Sequence, residues 1–198
     1  MSGKGHVILT IHLAEKTLLM NTIDENNPKG PAKFPLEKIA FIDLEASGLN
    51  AQSWPVEIGW AFYDGDPVST LICPDESWPL SAWDDEAQAL HGISIDQLNK
   101  KGRAPEQVCT ELNDALEGFF VFSDAPEWDG FWLYRLFSVC RMRPAFSVLN
   151  YLELLEPLIS GNIDELVTAV EEIAPRRHRA ADDAKHLQML YQYARKAI

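Results

Sequence analysis

Cysteine is scarce in this sequence, with three residues (Cys73, Cys109 and Cys140) among 198. They are far apart, odd in number and form no C-x-x-C pair. That argues against a disulfide framework or a cysteine zinc site, and it points to a reducing compartment. Long apolar runs are missing as well: none approaches the roughly 20 residues that cross a bilayer. The segment HVILTIHLAEKTLLM has the length of a signal peptide. His12, Glu15 and Lys16 interrupt it, however, and no small-residue cleavage site follows cleanly. The expected home is therefore cytoplasmic, with no membrane partner. Basic residues are in deficit, 17 Lys and Arg against 30 Asp and Glu, for a net charge of −13. Such a balance argues against a broad basic surface that grips long duplex nucleic acid by counterion release. Internal repeats and low-complexity tracts are also absent.

What is present is ordinary for a soluble globular protein: 46% hydrophobic and 24% charged residues. The length allows one well-buried core, and two domains would be crowded. Residues 1–35 read as an N-terminal arm or extension. Val7–Leu13 alternates like a strand, Leu13–Met20 suits a helical turn or two, and NTIDENNPKGPAKFP is a polar connector. The domain proper is expected over 36–198.

The stretch Ile39–Leu49, IAFIDLEASGL, reads as a central strand closed by Gly48. Val56–Tyr63 makes a second strand, and Asp64-Gly65-Asp66-Pro67 a turn. Val68–Cys73 is expected to complete an antiparallel meander. Short helices at Asp84–Leu90 and Ser94–Leu98 flank His91-Gly92. A helix over Pro105–Glu117 and a short apolar strand at Phe119–Phe122 follow. Asp124 and Glu127 have capping-box spacing, with Asp in place of Ser, and open a helix to about Ser138. Phe146–Leu155 suits either strand or helix. Asp164–Ile173 and Ala181–Ala197 close the chain as helices. This order predicts an α/β domain with a central mixed sheet flanked by helices.

Chemistry is carried by acids in unfavourable places. Alternation puts Asp43 and Glu45 on one face of an otherwise apolar strand, where they repel each other and resist desolvation. A hard divalent cation such as magnesium or manganese removes both costs; a strand that stops at Leu44 would instead leave Glu45 solvated in the turn. Asp129 shares a helix face with Trp132, Leu133 and Leu136, although a helix-dipole role also fits its position. Asp183 aligns with Leu187, Leu190 and Ala194, and a helix-start charge is again the plainer alternative. His178 belongs in the approach loop before that helix, beside Arg176, Arg177 and Arg179. This lone basic run is either a solvated segment after Pro175 or a phosphate grip.

Taken in order, these pieces resemble the DEDDh family of 3′-to-5′ exonucleases, which includes the proofreading subunits of bacterial replicative polymerases and oligoribonuclease. The first motif is matched by Asp43-Leu44-Glu45-Ala46-Ser47-Gly48-Leu49, and Val56-Glu57-Ile58-Gly59 looks like the family's second strand. Ala89-Leu90-His91-Gly92-Ile93 resembles the segment bordering the substrate groove. The second motif reads Asp124-Ala-Pro-Glu-Trp128-Asp129, with Asp124 where the family commonly has Asn and Trp128 for Phe or Tyr. The third, H-x-A-x-x-D, is matched in full by His178-Arg-Ala180-Ala-Asp182-Asp183. The likeness runs from about Ile39 to Tyr193.

The resemblance implies a ribonuclease-H-like exonuclease fold and hydrolysis of phosphodiester bonds from the 3′ end, releasing nucleoside 5′-monophosphates. It implies that Asp43, Glu45, Asp129 and Asp183 hold two divalent ions, Mg²⁺ or Mn²⁺, with His178 as general base. Gly48 and Leu49 would contact the terminal nucleotide, His91 would border the groove, and Arg179 would meet substrate. Expected partners are single-stranded or frayed 3′ ends of DNA or RNA, and a homodimer is compatible with the sequence. Two other readings stay open: a 3′-to-5′ exoribonuclease acting on short or structured RNA, and a non-catalytic interaction module on the same scaffold. Two-carboxylate glycoside hydrolysis ranks below both, since it needs no ordered histidine motif.

Overall fold

The computed structural model describes residues 34–158 and 163–196. Residues 1–33 of the expected arm lie outside them. Five strands form one sheet: β1 (Ile39–Ala46), β2 (Pro55–Phe62), β3 (Val68–Leu71), β4 (Phe120–Ser123) and β5 (Val148–Asn150), in the order β3-β2-β1-β4-β5. β1 is antiparallel to β2 and parallel to β4, so the sheet is mixed as expected. Its central place follows from composition. Ile39, Ala40, Phe41 and Ile42 are fully buried, which a strand covered on both faces requires.

Alternation sorts β1 into two faces. Ala40, Ile42 and Leu44 pack with Ile58, Trp60 and Val121 beneath the helices α3 (Pro105–Leu116) and α4 (Pro126–Val139). Ahead of these, α1 (Asp85–His91) and α2 (Ile95–Lys101) are capped by the side chains of Asp84 and Ser94. On the opposite face, Ile39 and Phe41 pack with Phe122, Tyr151, Leu187, Leu190 and Tyr191. Phe122 is in β4, Tyr151 opens α5 (Tyr151–Leu155), and the other three come from the long closing helix α7 (Ala180–Lys196), which α6 (Ile163–Ile173) flanks. Each such aliphatic or aromatic side chain contributes about 1.5–3 kcal/mol by leaving water. Phe34 joins this second cluster, its ring centroid 4.6 Å from Phe120 and 5.2 Å from Phe122. No helix among the described residues is long and apolar enough to cross a membrane.

Three local expectations need correction. The third strand stops at Leu71: the Ile72 N–H still reaches the Val56 carbonyl, but beyond it the Cys73 N–H donates to the Arg103 carbonyl and the Arg103 N–H to the Leu71 carbonyl. The Phe146–Leu155 stretch is both alternatives in turn: β5 to Asn150, then α5, with Asn150 Oδ1 accepting the Leu152 N–H at 2.9 Å. Asp124 caps no helix. The N-cap of α4 is Ala125 with no side-chain cap, and Pro126, which lacks an N–H to satisfy, begins the helix. Ser123 Oγ accepts the Ala125 N–H at 2.9 Å, while the Asp124 carboxylate is drawn to Arg176.

Candidate metal and nucleic-acid site

β1 runs on to Ala46, so Glu45 is a strand residue and only 9% exposed. The turn alternative for it is thereby removed. Asp43 lies opposite Gly59 and Glu45 opposite Glu57 in the β1–β2 register. The β1–β4 pairing ends at Phe41 and Phe122, so the later backbone of β1 has no strand on that side. Asp129, in the first turn of α4, sits on that side, close enough for the Leu44 backbone to favour its charged form. Its Oδ2 accepts a short hydrogen bond from Ser123 Oγ at the end of β4.

Asp183 arrives from the other layer. It is buried in the first turn of α7, and its Oδ1 accepts the Arg177 N–H at 2.9 Å. Gly59 makes that approach possible. A Cβ there would lie 2.3 Å from the Ala180 carbonyl carbon, so the helix start can rest on β2 only where the strand has no side chain. A glycine inside an apolar strand was the available sequence signal for such a close approach. His178 precedes the helix with a left-handed backbone, φ 53°. One of its ring nitrogens lies within 4.8 Å of carboxylate oxygens of Glu45 and Asp183.

The structure therefore brings together Asp43, Glu45, Asp129, Asp183 and His178 from three distant parts of the chain. Their electrostatics are unfavourable. Burial, followed by Glu45, Asp129, Asp183 and Asp124, holds the Asp43 carboxyl well above the usual carboxylate range. Its Oδ2 is sealed from solvent without a hydrogen-bond partner. Burial also raises Glu45 well above its ordinary value, with Asp183, Glu57 and Asp129 adding to it and Arg179 opposing. Asp129 and Asp183 are raised too, by burial first, against hydrogen bonds from Ser123 and from the Arg177 N–H respectively. A buried carboxylate oxygen with no donor, amid three further acids, is a ligand set of hard oxygens, and it suits a divalent cation.

The remaining predicted residues border this cluster or have other partners. Gly48 is buried, with room for a Cβ only 3.0 Å from the Asp84 Cβ, and next to it Leu49 is 57% exposed. His91 is buried, its Nδ1 accepting the Ile93 N–H at 3.0 Å. Burial lowers its pKa, and it lies within electrostatic reach of Glu57, Arg179 and His178. The Arg179 guanidinium is engaged by Glu57 through Nε at 2.9 Å and Nη2 at 2.7 Å. Glu57 was not singled out from the sequence as a site residue, although an acid inside an apolar strand is the same signal that marked Asp43.

No protein-family model matches the sequence, and no curated protein matches it. Solved structures do. Escherichia coli exonuclease I in complex with single-stranded DNA and a zinc ion superposes with a TM-score of 0.63 at 13% identity, over 80% of this chain and 40% of that one. Exonuclease I of Methylocaldum szegediense gives 0.56 at 15% identity, over 78% and 42%. A product-bound exonuclease I gives 0.58 at 14%, over 80% and 43%. The fold is ribonuclease-H-like. This chain spans about two fifths of the length of those solved chains. In the ribonuclease-H-like sheet, the acids sit at the end of β1 where β4 stops pairing and α4 and α7 begin. It is the region in which an open sheet leaves a crevice for ligand.

Proposed function

We propose that this chain is a metal-dependent 3′-to-5′ exonuclease acting on single-stranded or frayed nucleic-acid ends. The observation that carries this reading is the convergence of Asp43, Glu45, Asp129 and Asp183, short of cations, beside His178. The likeness in fold to exonuclease I, solved with single-stranded DNA, supports the same reading. The four carboxylates would hold Mg²⁺ or Mn²⁺, two ions on the family pattern. When bound, such ions polarise phosphoryl oxygens and lower the pKa of water.

The chain's own groups do the rest. His178, within 4.8 Å of the Glu45 and Asp183 oxygens, takes the proton of the attacking water at an imidazole nitrogen. Ser123 holds the Asp129 carboxylate so that it does not swing away from β1. Leu49, exposed beside a tightly packed Gly48, offers an apolar contact to a splayed terminal base. With a net charge of −13, the enzyme holds few phosphates at once, so digestion is distributive.

The test is a time course on 3′- and 5′-labelled DNA and RNA oligomers of matched sequence, with Mg²⁺ or Mn²⁺. Wild type shortens fragments from the 3′ end only, and His178→Ala lowers kcat by about 10²–10⁴-fold. Internal cuts, or a His178→Ala variant as active as wild type, contradict the proposal. The DNA and RNA arms decide between the deoxyribonuclease and exoribonuclease readings.

A further inference from the structure

The basic run at 176–179 does something other than face substrate. Arg176 donates from Nη2 to Asp124 Oδ2 at 2.5 Å, and the two side chains are 21% and 11% exposed. Arg179 forks onto Glu57, which is 1% exposed and has no free side. Glu57 Oε2 also accepts the Ala180 N–H at 3.1 Å, and Oε1 accepts from Ser69 Oγ at 3.0 Å. Between the two arginines, the Arg177 N–H is held by Asp183 Oδ1. His178, in the middle, has φ 53°. A residue with a Cβ keeps a left-handed backbone only where its surroundings impose it. Here the imposing contacts are visible: one arginine tied to the start of α4, the other to the middle of β2.

We infer that Arg176 and Arg179 are positioning residues, two ion-pair pins that fix the loop on either side of His178 and so set its imidazole over Glu45 and Asp183. The inference rests on the proposed role of His178 as base. It also gives the acid at 124 a purpose. A carboxylate completes the charge pair with Arg176, whereas an amide would leave that half-buried guanidinium without its directly bonded counter-charge, with Asp183 and Asp43 still within electrostatic reach. Arg177, whose side chain is exposed and makes no ion pair among the described residues, is the arginine left to meet a phosphate.

Pins and phosphate grips separate in kinetics. In steady-state digestion of a 3′-labelled single strand with Mn²⁺, Arg176→Met and Arg179→Met are expected to lower kcat by about 10- to 100-fold. Their KM and its salt dependence stay near wild type. Arg177→Met should instead raise KM and reduce the salt slope by roughly one. Arg179→Lys, which keeps the charge and loses the fork, should fall between Arg179→Met and wild type in kcat. In metal-free protein, amide hydrogen exchange at Arg177 and Ala180 should quicken by about ten-fold in the Met variants, because both N–H groups are held by acids of the pinned network. A raised KM with a reduced salt slope in Arg176→Met or Arg179→Met overturns the inference, as does unchanged exchange at both amides. Should either Met variant fail to fold, Asp124→Asn and Arg179→Lys are read by the same two criteria. Absence of any 3′ shortening by wild type sinks the nuclease reading instead, and the exchange measurement then decides the pins alone.

Discussion

The sheet face beneath α7 is two surfaces joined end to end. Toward the start of β1 it is hydrocarbon: Phe41 meets the rings of Tyr151 and Tyr191 at 6.0 and 5.9 Å, and Leu187, Leu190 and Ala194 close over them. Two residues further along the same face stands Asp43, then Glu45, with Asp183 reaching them from the same helix that supplies the leucines. The nearby cations, Arg176 and Arg179, already hold Asp124 and Glu57. One end therefore stabilises the fold, and the other burdens it with buried charge. A helix anchored firmly at its apolar end can hold an acid where that acid is unstable, which is how a binding site departs from what folding alone would choose.

This contrast can be broken at either end. The largest effect belongs to the hydrocarbon: Phe41→Ala should destabilise the protein by about 3–5 kcal/mol in urea unfolding. A cost under about 1 kcal/mol would mean that α7 is anchored elsewhere.

Acidity tests the other end. Carboxyls raised above their unfolded values bind more protons in the native state, so their contribution to stability is complete below about pH 4. It is lost as pH rises through the raised values. Metal-free protein should accordingly melt at a higher temperature at pH 5 than at pH 8, and Mn²⁺ should narrow the difference. A metal-free Tm that climbs with pH over that range contradicts the assignment.

Smaller still, Asp43→Asn should raise the metal-free Tm by about 2–4 °C, roughly 1 kcal/mol for a domain of this size. It removes a charge that no donor satisfies at Oδ2. The smallest change is expected from Leu49→Ala, at an exposed position on the rim. Stability should move by less than about 0.5 kcal/mol, while KM for a single strand rises about five-fold, the equivalent of roughly 1 kcal/mol of lost contact. A Leu49→Ala variant that unfolds instead would place that side chain in the core.

Much of this was legible beforehand because it is local. The apolar run around Asp43 and Glu45, the glycine-bearing turns and the stripes of α4 and α7 are patterns of neighbours, and the sheet and its flanking helices follow from them. What escaped was partnership at a distance. Asp124 three residues before Glu127 has the spacing of a cap, yet the helix starts one residue later, at Pro126, and Asp124 pairs with an arginine 52 residues away. Arg179 in a basic run suggests a phosphate, yet its fork meets Glu57 across 122 residues of chain. Neither pairing has a period or a motif. The second exists because Gly59 lets the start of α7 lie against β2, and that closeness is a property of the folded sheet.

Calorimetric titration of Mn²⁺ into metal-free wild type and Asp43→Asn, both shown to be folded by circular dichroism, tests the acid cluster most directly. Saturable uptake by wild type, weakened at least about ten-fold in the variant, is the predicted result. No uptake by wild type, or equal uptake by both proteins, would contradict a site built from these carboxylates.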